Sequence, residues 1–241
     1  AQLIQPNNLS ILKDIIDQNI MMKKYDNANK SATSYLNNNN PVSRSILSQK
    51  IYLDEILDSD NRVIKKPFDF IEDQKFEKDL ISLDKINSYP VSNNSNNFNF
   101  LDISKDKDLY DYIVNIGEGF LNPKSSKEPI FKKYRPKYLD IRFFVSDQFT
   151  KDIINGVSTE YSWLNGIICF KEKTKKKDLF QIEFNFSNTQ YPENEKVESS
   201  LKKQYGFDTL VLFPAYLNYK VNDIDGNAIK LLSLNFIGFN K

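Results

Sequence analysis

Residues Leu179-Phe-Gln-Ile-Glu-Phe-Asn-Phe186 alternate strictly between apolar and polar side chains. A period of two puts Phe180, Ile182, Phe184 and Phe186 on one face of a β-strand and Gln181, Glu183 and Asn185 on the other. A helix would scatter these four side chains around its axis, so the segment needs a sheet with one buried face. The second half of the chain repeats the theme. Residues 138–145 alternate less strictly, residues 164–170 and 209–213 are short apolar runs, and Pro214 stops the latter. Residues 229–236 follow Asp225-Gly226, a hairpin turn signal. Short strands with turns between them predict a mainly β (α+β) chain whose second half is a jelly-roll sandwich or barrel. Trp163 and Cys169 fall within these strands and are expected to be core residues, with Cys169 an inert thiol.

The first half is more polar and partly helical. Ser10 is placed to cap a helix running to about Lys24, with Ile11, Leu12, Ile15, Ile16 and Ile20 at helical spacing. A second amphipathic segment covers 43–57, with Ile46, Leu47, Ile51 and Ile56 on one side. The stretch between them reads as low complexity and ends in Asn37-Asn38-Asn39-Asn40-Pro41. Asn93 to Asn97 reads as an exposed loop, and 106–116 as a short helix closed by Gly117-Glu118-Gly119. The expected division is a helical arm over 1–60, an irregular and helical connection over 61–124, and a β-domain over 125–241. The Asn-rich linkers offer little apolar surface to cover the two helices. Residues 1–60 are therefore expected to reach away and bury Ile11, Ile15, Ile16, Ile46 and Ile56 against another protein chain, within an oligomeric assembly.

Composition removes several chemistries. The chain contains no histidine, which excludes a Ser-His-Asp triad, a Cys-His dyad, a His-ligated zinc and a two-His-one-carboxylate iron site. Its single cysteine excludes an intramolecular disulfide. Lys and Arg total 33 against 32 Asp and Glu, a balance that indicates no strong binding to nucleic acid through phosphate neutralisation. No apolar run reaches the ~18 residues of a membrane helix, and residues 1–6 read as a mature start without a leader. The expectation is an intracellular or assembled protein. The 28 Asn, and 29 Lys against 4 Arg, point to an AT-rich coding sequence.

Carboxylate groupings are read conservatively. Asp54, Glu55, Asp58 and Asp60 lack the spacing of an EF-hand loop and read as a solvated helix face. The Asp223 to Asn227 stretch reads as a hairpin turn, although its residue types also suit a calcium loop. The five lysines within 171–177 read as a solvated hairpin tip, with a phosphate-binding patch as the sharper reading. Glu160 and Glu183 are candidates for paired-carboxylate glycoside hydrolysis, but strand alternation points Glu183 outward.

The C-terminal strands carry a recognisable pattern. Leu210-Val-Leu-Phe-Pro-Ala-Tyr-Leu-Asn-Tyr-Lys-Val221 resembles the L-V-L-F-P-S-x-L-x-H-x-V element of phage and bacterial 2-oxoglutarate/iron(II) oxygenases. Residues 229–236 resemble that family's closing strand, and Ser162-Trp-Leu-Asn-Gly-Ile-Ile-Cys-Phe170 its S-x-L-S-G-V-Y-Y strand. The resemblance spans roughly 135–241 and implies a double-stranded β-helix. It also implies where chemistry has gone. The family's distal iron-binding His falls on Tyr219, its proximal ligands fall on Val157 and Thr159, and its 2-oxoglutarate Arg falls near Ile229 or Lys230. The chain is thus expected to keep the fold, bind no metal or cofactor, and fill the former cavity with side chains such as Tyr219.

With the composition, the resemblance implies a non-catalytic structural or interaction protein, namely a neck, tail or baseplate component of a tailed-phage virion. The alternatives are an oxygenase with an atypical metal site and a small-ligand or glycan-binding module at the barrel mouth. Cytoplasmic residence is the alternative to the virion.

Overall fold

The computed structural model describes residues 8–38, 42–58, 60, 62–64, 66–93, 98–124, 136, 138–146, 149–150, 153–172, 179–185, 191, 200–223 and 228–239. Three helices come first: α1 (Leu9–Met21), α2 (Tyr25–Asn38) and α3 (Arg44–Ile56). Next come β1 (Glu72–Lys75), α4 (Leu83–Ser88), β2 (Val91–Asn93), β3 (Phe98–Leu101) and α5 (Lys107–Lys124). Eight strands follow among the described residues: β4 (Tyr138–Ser146), β5 (Ile154–Asn155), β6 (Ser162–Lys171), β7 (Leu179–Asn185), β8 (Ser200–Gly206), β9 (Thr209–Pro214), β10 (Asn218–Asp223) and β11 (Ile229–Phe239).

The strands form a seven-stranded sheet, β1-β9-β6-β11-β4-β3-β2, and a four-stranded sheet, β5-β10-β7-β8, antiparallel throughout. Between β4 and β11 the chain changes sheet at every connection except the β7–β8 hairpin. That order, β9-β6-β11-β4 against β5-β10-β7-β8, is the double-stranded β-helix form of the jelly roll. The segment over 61–124 does more than connect. It lays β1 beside β9 and the β2–β3 hairpin beside β4, widening the large sheet at both edges.

Register decides which side chains meet. Ile154, Phe180, Ile182, Phe184, Tyr219 and Val221 face inward from the small sheet, and all are buried. Ile167, Cys169, Val211, Phe213 and Leu231 meet them from the large sheet. Phe186 and the Asp225-Gly226 turn lie outside the described residues, as do 173–178 of the lysine-rich tip. Leu210 and Leu212 are buried on the outer face of the large sheet, where they flank Gly166 with Leu234. Helix α5 runs through Gly117 instead of ending there. A Cβ at Gly117 would lie 2.3 Å from Phe236 Cε1, so the glycine lets α5 approach β11 closely.

The N-terminal helices correct the arm expectation. Helix α2 occupies the stretch that reads as low complexity, and buries Ala28, Ala32, Tyr35 and Leu36 on one face. It supplies the cover that the sequence did not reveal. Ile16 and Ile46 are fully buried within this chain's own core, Ile15 and Ile56 are half-buried, and only Ile11 of the five stays exposed. Asn8, not Ser10, caps α1, while Ser43 caps α3 through its hydroxyl to Ile46 N. Among the described residues no helix is long and apolar enough to cross a membrane.

Candidate functional site

The loop between β5 and β6 closes one end of the barrel, and it holds Val157 and Thr159. Strand alternation points Tyr219 of β10 inward beneath that loop, and places Ser233 and Asn235 of β11 on the same interior. The Tyr219 and Ser233 hydroxyls lie 2.7 Å apart. Val157 N donates to the Tyr219 hydroxyl at 3.2 Å. The Val157 carbonyl accepts from Tyr219 and Ser233, each at 3.3 Å, and from Asn235 Nδ2 at 3.1 Å. Thr159 N donates to Asn235 Oδ1 at 2.9 Å, and Gly156 N to the Tyr219 carbonyl at 2.8 Å. A Cβ at Gly156 would lie 2.3 Å from the Tyr219 ring, so the loop backbone lies flat against it. The ring continues an aromatic row, 5.0 Å from Phe213, which is 4.9 Å from Phe184.

Val157, Thr159 and Tyr219, the three positions that the resemblance aligns with iron ligands, are thus brought together. The other two are not with them. Ile229 is buried beside Thr150 at the start of β11, and Lys230 projects to the opposite face from Ser233 and Asn235. The Lys230 ammonium donates to Asn87 Oδ1 at 2.9 Å, outside the barrel. It cannot serve as the interior cation that its alignment with the family's Arg suggests.

The donors at this end do not fit iron(II). Burial pushes the Tyr219 phenol up to about 12, so it is a neutral group fully engaged in hydrogen bonds. The nearby Asn165 Oδ1 accepts from Ser158 at 3.3 Å. Iron(II) in this fold requires strong anionic or imidazole donors on one face with open positions opposite. Among the described residues no group of three His, Cys, Asp or Glu side chains is positioned to hold a metal.

Tyr219 also sets a testable pH dependence. Its folded pKa lies above the ordinary value of 10.0, so its contribution to stability is complete below pH 10 and is lost as pH rises through 12. Chemical denaturation across that window should show stability falling, with Tyr219→Phe removing up to about 1.4 kcal/mol per pH unit of the slope. Near neutral pH the same variant should lose about 1–3 kcal/mol, because Ser233 and the Val157 amide lose a buried partner.

Sequence reasoning missed the role of Glu160. Burial opposes its ionisation, yet hydrogen bonds from Ser43 and Ser45 and the charge of Lys13 outweigh that and hold its carboxyl below the usual carboxylate range. It accepts from the Ser43 hydroxyl, from Ser45 Oγ at 2.8 Å and N at 3.3 Å, and from Lys13 Nζ at 3.3 Å. Its carbonyl accepts from Arg44 N at 2.9 Å. One barrel carboxylate therefore fastens both α1 and α3. Glu183 instead faces outward to Lys202 at 3.5 Å, so Glu160 and Glu183 serve separate partners.

The acidic cluster late in α3 is also consumed locally. Asp54 pairs with Lys50 and accepts from Val63 N at 2.9 Å, while Arg62 bridges Glu55 and Asp58 at 2.8 and 2.6 Å. Beside α1 and α3 lies a cleft of about 490 Å³, floored by β5, β7 and β10.

No family model matches the chain, and no curated protein matches it. Among solved structures it is similar to a prolyl-4-hydroxylase from Pseudomonas putida, at 9% identity and a TM-score of 0.45, over 81% of this chain and 99% of that one. It is also similar to a dTDP-4-dehydrorhamnose 3,5-epimerase from Elizabethkingia anophelis, at 4% identity and a TM-score of 0.25, over 64% and 76%. The strand order itself, not these likenesses, carries the fold assignment.

Proposed function

We propose that this chain is a non-catalytic interaction protein built on a double-stranded β-helix whose oxygenase chemistry has been lost, and that it acts within a larger protein assembly. The observation that supports this most is the closed hydrogen-bonded set of Tyr219, Ser233 and Asn235 on the Val157 backbone. An oxygenase of this fold needs an open, ligand-rich interior there. This chain has a neutral phenol and amide committed to neighbours, and no histidine anywhere.

A virion is the setting favoured by the resemblance and by the Asn- and Lys-rich composition, with neck, tail or baseplate as its position. That placement rests on analogy of fold. Two measurements test the reading. With iron(II), ascorbate and 2-oxoglutarate, the purified chain should consume oxygen and release succinate no faster than a protein-free control. In particles purified from the source, quantitative mass spectrometry should find the chain at a fixed ratio to known structural proteins. Protein-dependent succinate release would overturn the loss of catalysis, and absence from the particles would overturn the virion setting.

A further inference from the structure

We propose that the loop between β5 and β6 is a two-sided latch, so that seating of the N-terminal helices on the barrel and closure of the barrel end are one cooperative event. A partner chain that draws α1 and α3 away thereby opens that end onto the buried Asn165, Ser233 and Asn235. The inference stands apart from the loss of catalysis, because no step of it uses a metal or a substrate.

The anchors along residues 156–160 carry the argument. On the inner side, Val157 N donates to the Tyr219 hydroxyl and Thr159 N to Asn235 Oδ1, while Ser158 Oγ donates to Asn165 Oδ1. On the outer side, Glu160 takes the N-terminus of α3. Its carboxylate accepts from Ser43 and Ser45, and its carbonyl accepts from Arg44 N. The same carboxylate pairs with Lys13 of α1, and its charge acts on the Arg44 guanidinium. Thr159, anchored inside, and Glu160, anchored outside, are consecutive. Consecutive Cα atoms stay about 3.8 Å apart, so a displacement of Glu160 is transmitted directly to Thr159.

The fold also gives the loop a way to move. On one side it leaves β5, a two-residue edge strand paired only with β10 among the described residues. On the other side it enters β6, which β9 and β11 hold from both edges, so the hinge falls at Ser162. The cleft of about 490 Å³ lies beside the loop and is lined by Gly156, Ser158 and Tyr219. A lifting loop enters that space without crossing packed side chains. Closure is opposed on both sides. Asn165 Nδ2 inside and Arg44 Nε outside are buried with no acceptor among the described residues. A buried donor left unpaired weighs against the state that buries it. A segment held by hydrogen bonds and opposed in this way opens locally, ahead of the barrel strands.

The test is amide exchange of the purified chain, followed by NMR at several urea concentrations below the unfolding transition. Arg44 and Ser45 open α3, so their amides have no intrahelical acceptor and owe their protection to Glu160. Glu160→Gln should speed exchange on the inner side, at Val157 and Thr159, about tenfold. Tyr219→Phe should speed it on the outer side, at Arg44 and Ser45, by about the same factor. In both variants these amides should depend weakly on urea, while those of β6 and β11 keep the steep dependence of global unfolding. Ser45→Ala removes one donor to Glu160 and should act in the same direction at Val157 and Thr159. Asp58→Ala, just past the far end of α3, should leave all four amides unchanged. Exchange that rises only on the side of the substitution would overturn the latch, because the two sides are then independent. Loop amides that share the urea dependence of β6 would overturn it as well, since the loop then opens only with the barrel. An equal rise in Asp58→Ala would overturn the role of Glu160 by tracing the effect to general destabilisation.

Discussion

Asp54→Ala is expected to lower the stability of this protein by about 3–5 kcal/mol. Asp54 and Lys50 lie one turn apart on α3, and their side chains are only 1% and 7% exposed. One carboxylate oxygen meets the Lys50 ammonium, and the other accepts from Val63 N at 2.9 Å. The alanine variant strands an ammonium and an amide in a site that has excluded water. It also frees the segment that carries the buried Val63 and Ile64. The neighbouring Arg62 pair offers the contrast. Asp58 is 83% exposed, so Asp58→Ala should cost less than about 1 kcal/mol. Urea denaturation of the two variants at neutral pH checks both values. A loss below about 1 kcal/mol for Asp54→Ala would show that the pair is solvated in solution.

The second large effect belongs to Phe184. Its side chain is fully buried between the sheets, with its ring 4.9 Å from Phe213 and edge-on to it. Phe184→Ala leaves a cavity that rigid strands on both sides cannot close, and should cost about 3–5 kcal/mol. Because Phe213 also supports the Tyr219 ring, the variant should loosen the loop over 156–160 as well. Faster amide exchange at Val157 and Thr159 would report that loosening. Phe184→Leu should cost less, since it refills part of the volume. A change smaller than about 1 kcal/mol in Phe184→Ala would contradict the interior placement of that face.

The β-domain was legible because strands advertise themselves. The Phe180 to Phe184 alternation fixes both its strand and its inward face, while the apolar runs around Ile167 and Val211 fix strands without saying which face points inward. Leu210 and Leu212 show the limit of that reading. A strand buried on both faces has no alternation to report, so its outer face is invisible until the covering elements are known. Helix α2 was hidden for a related reason. Its buried face, Ala28, Ala32, Tyr35 and Leu36, does recur at helical spacing, but two of the four are alanines and the segment is otherwise Asn- and Ser-rich, so its low overall hydropathy masks the pattern. Without that helix, α1 and α3 have no evident cover, which is why the sequence suggests an arm.

The site was half legible. The family pattern brings Val157, Thr159 and Tyr219 to one place, because those positions follow from strand register. Ser233 and Asn235 read in the sequence only as part of a strand, and their hydrogen bonds to the Val157 carbonyl emerge only in three dimensions. Glu160 and Arg44 belong to contacts across more than a hundred residues of sequence, which no local pattern encodes.

The proposed loss of oxygenase chemistry, with Tyr219 and its partners closing the barrel end, is tested most directly by adding iron(II) to the purified chain. The titration is anaerobic, in the presence of 2-oxoglutarate, and is followed by calorimetry and visible absorption. The expected result is no saturable one-to-one site tighter than about 1 mM, and the same trace for wild type and Tyr219→Phe. One iron bound per chain, with a charge-transfer band that disappears in Tyr219→Phe, would contradict the closure.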